Sequence, residues 1–249
     1  MTRESFTSAQ AVPVAVREHA LFLDFDGTLA PLQDDPDTVV LPTSGAAILS
    51  RLDELLDGAL VLISGRDVRD LSARTPQSLW RAGGHGLEVC APNEAPAVQR
   101  PEIEGDIRQR VAEIVDAFEG VRIEDKGPVL AIHFRQNPTV ESDLLRRLTD
   151  LAAKIEGYKA QHGKMVIELK PERANKGLAL RGFMQRAGFA GRTPIMVGDD
   201  TTDEDAMRVA AELGGFGIKV GSGASLADYR FEDTDTVWDW LRSIVNEHA

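Results

Sequence analysis

With 249 residues, 43% apolar and 27% charged, the chain can bury a sizeable core as one large domain or two smaller ones. A formal net charge of −12 argues against a nucleic-acid partner, which demands a basic face, but not against a small anion in a locally basic pocket. A lone cysteine, Cys90, excludes an internal disulfide and suits a reducing compartment, and no run approaches the roughly 18 apolar residues that span a bilayer.

The first residues, MTRESFTSAQAVPVAV, have too short an apolar core for a secretory signal, so 1–17 reads as a flexible leader and the protein as cytoplasmic, without a membrane partner. ALFLDF (20–25) then reads as a buried strand, SGAAILSRLDELLDG (44–58) as a helix, ALVLIS (59–64) as a second strand, and a helix begins near Asp67. Strands apolar throughout and separated by helices indicate a parallel sheet covered on both faces.

The middle of the chain changes style. A Pro-rich linker (92–101) leads to a helix over 102–120, strands at 121–125 and 129–135, a helix over 139–156, and a second hairpin in 158–170. The parallel pattern returns with a helix at 176–188, a strand at 193–200, a helix at 202–214, a strand at 215–221 and a last helix at 234–248. The expected architecture is a Rossmann-like core of residues 18–92 and 172–249 with an inserted α+β domain at 93–171, its hinges near 91–93 and 171–175. Trp238 and Trp240 in the last helix would pack on the core or form an association patch; a monomer is expected.

Chemistry gathers at strand ends. In LFLDFDGTLAP (21–31) two aspartates, Asp24 and Asp26, stand one residue apart where an apolar run closes. Carboxylates at i and i+2 of an extended chain point to the same side, and such a pair needs a proton or a cation between them. Three other junctions carry polar groups: Ser64-Gly65-Arg66, Asn175-Lys176-Gly177, and GDDTTD with Asp199, Asp200 and Asp203. Each alone has a plain explanation as a turn, a solvated lysine or a helix-dipole partner. Together they fall where doubly wound sheets bind ligands, outside the carboxyl ends of the strands.

These motifs, in order and spacing, resemble the haloacid dehalogenase superfamily from about residue 18 onward. The resemblance implies Asp24 as nucleophile through an aspartyl-phosphate, Asp26 as acid/base, and Mg²⁺ held by Asp24, Asp199 and the backbone carbonyl of Asp26. Ser64 and Lys176 would bind the phosphoryl oxygens, with Thr28, Arg66, Asp200 and Asp203 supporting. LDFDGTLAPL, ISGR, GGHGLE, EDKG, HFR, VIELKP, NKG and VGDDTTDEDAM together resemble the trehalose-6-phosphate phosphatases, in which the insert is a cap that closes on the core. Phe25 stands where many members have Tyr, and Met207 where Phe is frequent.

A sugar phosphate needs several charged hydrogen-bonding groups, and Lys126, His133, Arg135, Glu168 and Lys170 lie on or beside the two inserted hairpins. His85, Glu88 and Asn175 are further candidates, His85 and Glu88 standing open between sugar contacts and structural parts. Two other readings stay in view: a phosphatase for another sugar phosphate, such as sucrose-6-phosphate or glucosylglycerol phosphate, and a non-catalytic sugar-phosphate sensor. No synthase segment is legible, so coupling to trehalose-6-phosphate synthesis would run between separate chains.

Overall fold

The computed structural model describes residues 6–8, 12–33, 35–99, 102–103, 105–163 and 165–248. It divides into two compact units: Met1–Pro96 with Asn175–Ala249, and Ala97–Ala174.

In the first unit, β1 (His19–Leu23) is apolar on both faces because it lies at the centre of a sheet. β2 (Leu60–Ile63), β3 (Trp80–Gly83) and β4 (Glu88–Cys90) continue the sheet to one side, β4 running antiparallel to β3. The helices α1 (Gly45–Leu55) and α2 (Val68–Arg74) make the crossovers between them. β1 also pairs in parallel with a late strand, Thr193–Gly198, with Leu21 between Leu60 and Ile195. The chain therefore winds outward in opposite directions from β1, which makes its carboxyl end the switch point where ligands bind. Phe22, Phe183 and Phe189 are buried together beneath the sheet, each such side chain stabilising the fold by roughly 1.5–3 kcal/mol.

The second unit comprises α3 (Gly105–Val115), β5 (Arg122–Asp125), β6 (Leu130–His133), α4 (Glu141–Ala152), β7 (Tyr158–Gly163) and β8 (Val166–Pro171). Its antiparallel sheet has the order β5-β6-β8-β7. Ile107, Val111, Leu144 and Leu148 of the helices meet Leu130, Ile132, Ile167 and Leu169 of the strands on one face. Back in the first unit follow α5 (Lys176–Phe183), β9 (Thr193–Gly198), α6 (Thr201–Glu212), β10 (Phe216–Val220), β11 (Tyr229–Phe231) and α7 (Thr234–Glu247). Trp238 and Trp240 pack inward, their indole N–H groups donating to the carbonyls of Leu29 (2.9 Å) and Val12 (3.2 Å).

One expectation is corrected. Part of the leader is docked: Thr7 exchanges hydrogen bonds with Arg230, Val12 is buried, and Val14 and Val16 pack on the core. Those alternating valines supply the apolar contact that holds it; residues 1–5 and 9–11 lie outside the described residues. The first unit extends past 91–93, because the buried Arg81 guanidinium donates to the carbonyls of Ala91 and Glu94, both at 2.9 Å, and ties that segment to the core. The first unit ends only at Pro96.

Candidate active site

Asp24 follows β1 directly, its N–H bonded to the carbonyl of Val197 in β9, and is 4% exposed. The ammonium of Lys176, at the start of α5, donates to Asp24 Oδ1 and Asp203 Oδ1, both at 2.6 Å. All three groups are buried. Burial, the nearby Asp203 and Asp199 carboxylates push Asp24 well above its usual range despite the opposing pull of Lys176. Burial and Asp203 likewise raise Asp199 to about 7. Burial alone would depress Lys176, but Asp203 and Asp24 outweigh it and hold the ammonium charged.

Among the described residues, carboxylate oxygens of Asp24, Asp199 and Asp203 lie within 4.8 Å of one another. Asp203 has prior commitments, one oxygen accepting from Lys176 and the other from the Asp200 N–H at 3.0 Å. Asp200 is the N-cap of α6, so the dipole-partner explanation and a supporting role coincide in one turn. Gly27 is required beside this cluster: its φ is +78°, and a Cβ there would fall 2.2 Å from Asp199 Oδ2.

Asp26 points elsewhere. Arg66 grips it with two bonds, Nε to Oδ2 at 2.7 Å and Nη2 to Oδ1 at 2.6 Å. The same guanidinium donates to Asp70 at 2.7 Å and to the Pro36 carbonyl at 2.9 Å, so the SGR turn clamps the DxDGT loop. Ser64 Oγ accepts the Arg66 N–H at 3.1 Å, which keeps its own O–H as a donor. Thr28 is fully buried and its hydroxyl has no partner, an unmet requirement in a site otherwise dense with hydrogen bonds.

Three of the sugar-contact candidates have structural employment. Glu88 is paired with Arg69 through both oxygens, at 2.7 and 3.0 Å. Asn175 caps α5 by accepting from the Leu178 N–H and donates to Asp205 at 2.6 Å. His85 is buried with a φ of +57°, its ring against Gly65, where a Cβ would lie 2.8 Å from the imidazole. One core residue was overlooked: buried Lys219, in β10, donates to the Asp199 carbonyl at 2.7 Å and its neighbour's carbonyl at 2.6 Å. A lysine inside the apolar run GFGIKVG was its visible signal.

In the second unit, Glu124 accepts from His133 at 2.8 Å and lies 3.7 Å from Lys126, while Lys170 donates to Glu168 at 3.1 Å. The His133 bond is the main reason Glu124 titrates below its usual range. These residues occupy the sheet face opposite α3 and α4; Arg135, just past β6, is exposed. Glu124 was absent from the sequence candidates, because only strand register places it beside His133.

The fold is shared with a haloacid dehalogenase-like hydrolase from Bacteroides thetaiotaomicron, at TM-score 0.62 and 18% identity over 94% of this chain and 100% of that one. It is also shared with the C-terminal domain of Candida albicans trehalose-6-phosphate phosphatase, at TM-score 0.79 and 21% identity over 92% of each chain. Core topology with acids at the switch point is that of the haloacid dehalogenase fold. Residues 22–235 match the trehalose-phosphatase family, and the chain is 39% identical to Escherichia coli trehalose-6-phosphate phosphatase over 94% of its length and 89% of the relative's. The chain belongs to the trehalose-phosphatase family and is a phosphatase.

Proposed function

We propose that this chain hydrolyses trehalose 6-phosphate to trehalose and inorganic phosphate through a phosphoryl group carried on Asp24, the last step of trehalose biosynthesis. The observation that carries the mechanism is the buried Lys176 ammonium bridging Asp24 and Asp203 at the end of β1. Two of its three N–H donors are used, leaving one for a phosphoryl oxygen. The Ser64 O–H and the unpartnered Thr28 hydroxyl offer two more.

Asp24 attacks phosphorus as the bond to the sugar oxygen breaks, and Asp26 gives the departing alkoxide its proton. Water then attacks the phosphoryl-aspartate, Asp26 takes its proton, and Asp24 is restored. Arg66 fixes the plane of the Asp26 carboxylate while each oxygen keeps a lone pair for the proton.

The carboxylates fit a hard divalent cation. Asp24 and Asp199 are both raised by burial and by the nearby Asp203 carboxylate, and a small set of oxygen donors with room for waters suits Mg²⁺. Asp24, Asp199 and the Asp26 carbonyl would hold it, with Asp203 behind them. Bound there, it would supply charge neutralisation to the phosphoryl oxygens.

Lys126, His133, Arg135, Glu168 and Lys170 are read as sugar contacts on a cap. The identity of the second unit as a specificity cap rests on the family and on this polar sheet face. The core residues alone cannot choose the sugar.

Phosphate release measured with Mg²⁺ and with EDTA, across trehalose 6-phosphate, sucrose 6-phosphate, glucose 6-phosphate and mannose 6-phosphate, tests the proposal. A metal-dependent preference for trehalose 6-phosphate is expected. Preference for another ester would discard the substrate and keep the core chemistry. No turnover would point to a sensor, and binding would be measured next.

A further inference from the structure

We propose that Gln161 and Lys159, on the edge strand of the second unit, are specificity-determining contacts to the sugar unit remote from the phosphate. This rests on the reading of that unit as a sugar-phosphate cap. The register is what reveals them: Gln161 stands directly opposite Glu168, and Lys159 directly opposite Lys170. Residues opposite one another in a ladder share a face, their Cβ atoms about 5 Å apart.

The alternate residues of β7 settle which face that is. Tyr158 and Ala160 pack in the apolar cluster with the helices, and His162 pairs with Glu141 of α4 at 2.5 Å. Lys159 and Gln161 therefore project from the opposite face, with Glu168 and Lys170.

Two polar rows result. Glu124 pairs with Ala131, Ala131 with Glu168, and Glu168 with Gln161, giving a row that carries a side-chain acceptor on three of the four strands. In the next row Lys126 bonds through its N–H to the Val129 carbonyl, and continuing the register by one residue sets Val129 beside Lys170 and then Lys159. At about 4.8 Å between strands, each row runs roughly 14 Å, long enough to serve more than one sugar ring.

A sugar hydroxyl both gives and takes a hydrogen bond. Carboxylates satisfy only its proton, lysines only its oxygen, and the Gln161 amide either. A lysine on an edge strand also has a duller duty, discouraging pairing with another sheet. That duty accounts for Lys159, but not for a part-buried uncharged amide opposite Glu168.

The test is the steady-state kinetics of Q161L, Q161E and K159A on trehalose 6-phosphate and on the one-ring ester glucose 6-phosphate. Q161L should raise KM for the disaccharide about 5–30-fold, the loss of one or two hydrogen bonds, with kcat within twofold. KM for glucose 6-phosphate should not move, K159A should show a smaller rise, and Q161E should recover part of the loss. Unchanged KM in Q161L beside a raised KM in E168A would overturn this assignment and leave the proposed function standing. If the wild type prefers another two-unit sugar phosphate, the function falls and the same contrast decides the row on that ester. Absence of turnover with every ester would overturn both.

Discussion

In the core, Lys176, Asp24 and Asp203 make 2.6 Å contacts with side chains 3%, 5% and 0% exposed; on the cap sheet, Lys126, His133 and Glu124 are 26%, 28% and 44% exposed. The first set is a buried triad in which one ammonium holds together two carboxylates that repel each other. The second is a set of wet pairs, each worth little to stability. Substitutions should therefore act differently in the two units. Changes in this triad should disturb stability and catalysis together, and changes at the exposed cap pairs should disturb binding alone.

The sharpest test of the core is D24N. It removes the proposed nucleophile and should lower kcat by about 10³ or more. It also removes a carboxylate that burial, Asp203 and Asp199 hold well above its normal range. The metal-free variant should accordingly melt above the wild type, a gain in stability bought with function. Activity above a tenth of wild type, measured as phosphate release, would sink Asp24 as nucleophile.

K176M attacks the same triad from the other side. Asp24 and Asp203 would be left buried without their cation, a loss of roughly 3–5 kcal/mol in denaturant unfolding together with loss of turnover. D24N should stabilise the K176M background by more than it stabilises the wild type, since there it removes a buried carboxylate that has lost its cation. An equal gain in both backgrounds would mean the groups are not coupled.

R66A comes next in size. It frees Asp26 from its two-point grip and should lower kcat about 10–100-fold with little change in KM. R66K, which cannot reproduce the fork, should recover only a small part. An R66A enzyme with normal kcat would show that the grip is structural, belonging to the Asp70 and Pro36 contacts instead.

The contrast between the units also explains what could be read in the sequence. That Asp24, Lys176 and Asp199 come together was legible because a doubly wound sheet gathers at its carboxyl edge the polar residues that interrupt apolar runs. The partition of roles was not. Nothing in NKG says that Asn175 spends its side chain on a cap and on Asp205, and nothing in GGHGLE says that Glu88 belongs to Arg69. In the cap the limit was register: HFR and VIELK declare which residues share a strand face, but only pairing shows that Glu124, Glu168 and Gln161 form one row. The short strands β3 and β4 escaped notice because WRAGG and GLEVC carry glycines that read as turns. The leader was misjudged because its valines are too few to form an element, yet suffice to dock on one.

On the cap side, K126A should raise KM for the sugar phosphate by about tenfold while kcat and melting temperature barely move, whereas K170A, which leaves Glu168 without its buried cation, should raise KM and lower stability together. Lys170 is the stricter half of this test, being buried beside Glu168. A large drop in stability with unchanged KM would place it with the core triad as a structural charge.

A smaller effect separates burial from function within the core itself. Asp53 in α1 lies away from the site, and burial, with some help from Glu54, raises it to about 6; one of its oxygens is buried without a partner. An acid whose folded pKa exceeds its unfolded value binds its proton more tightly when folded, so stability falls as pH rises from about 4 through 6. The group is part-exposed, so solvent screening reduces the penalty above that window to about 1 kcal/mol. D53N should thus be more stable than wild type by that amount at pH 8, with the advantage vanishing near pH 4, and turnover should be unchanged. A pH-independent difference would mean that asparagine acts through a new hydrogen bond. Lost turnover would mean that the buried charges of the site reach as far as α1, and that the core is one electrostatic unit rather than a triad set in a neutral frame.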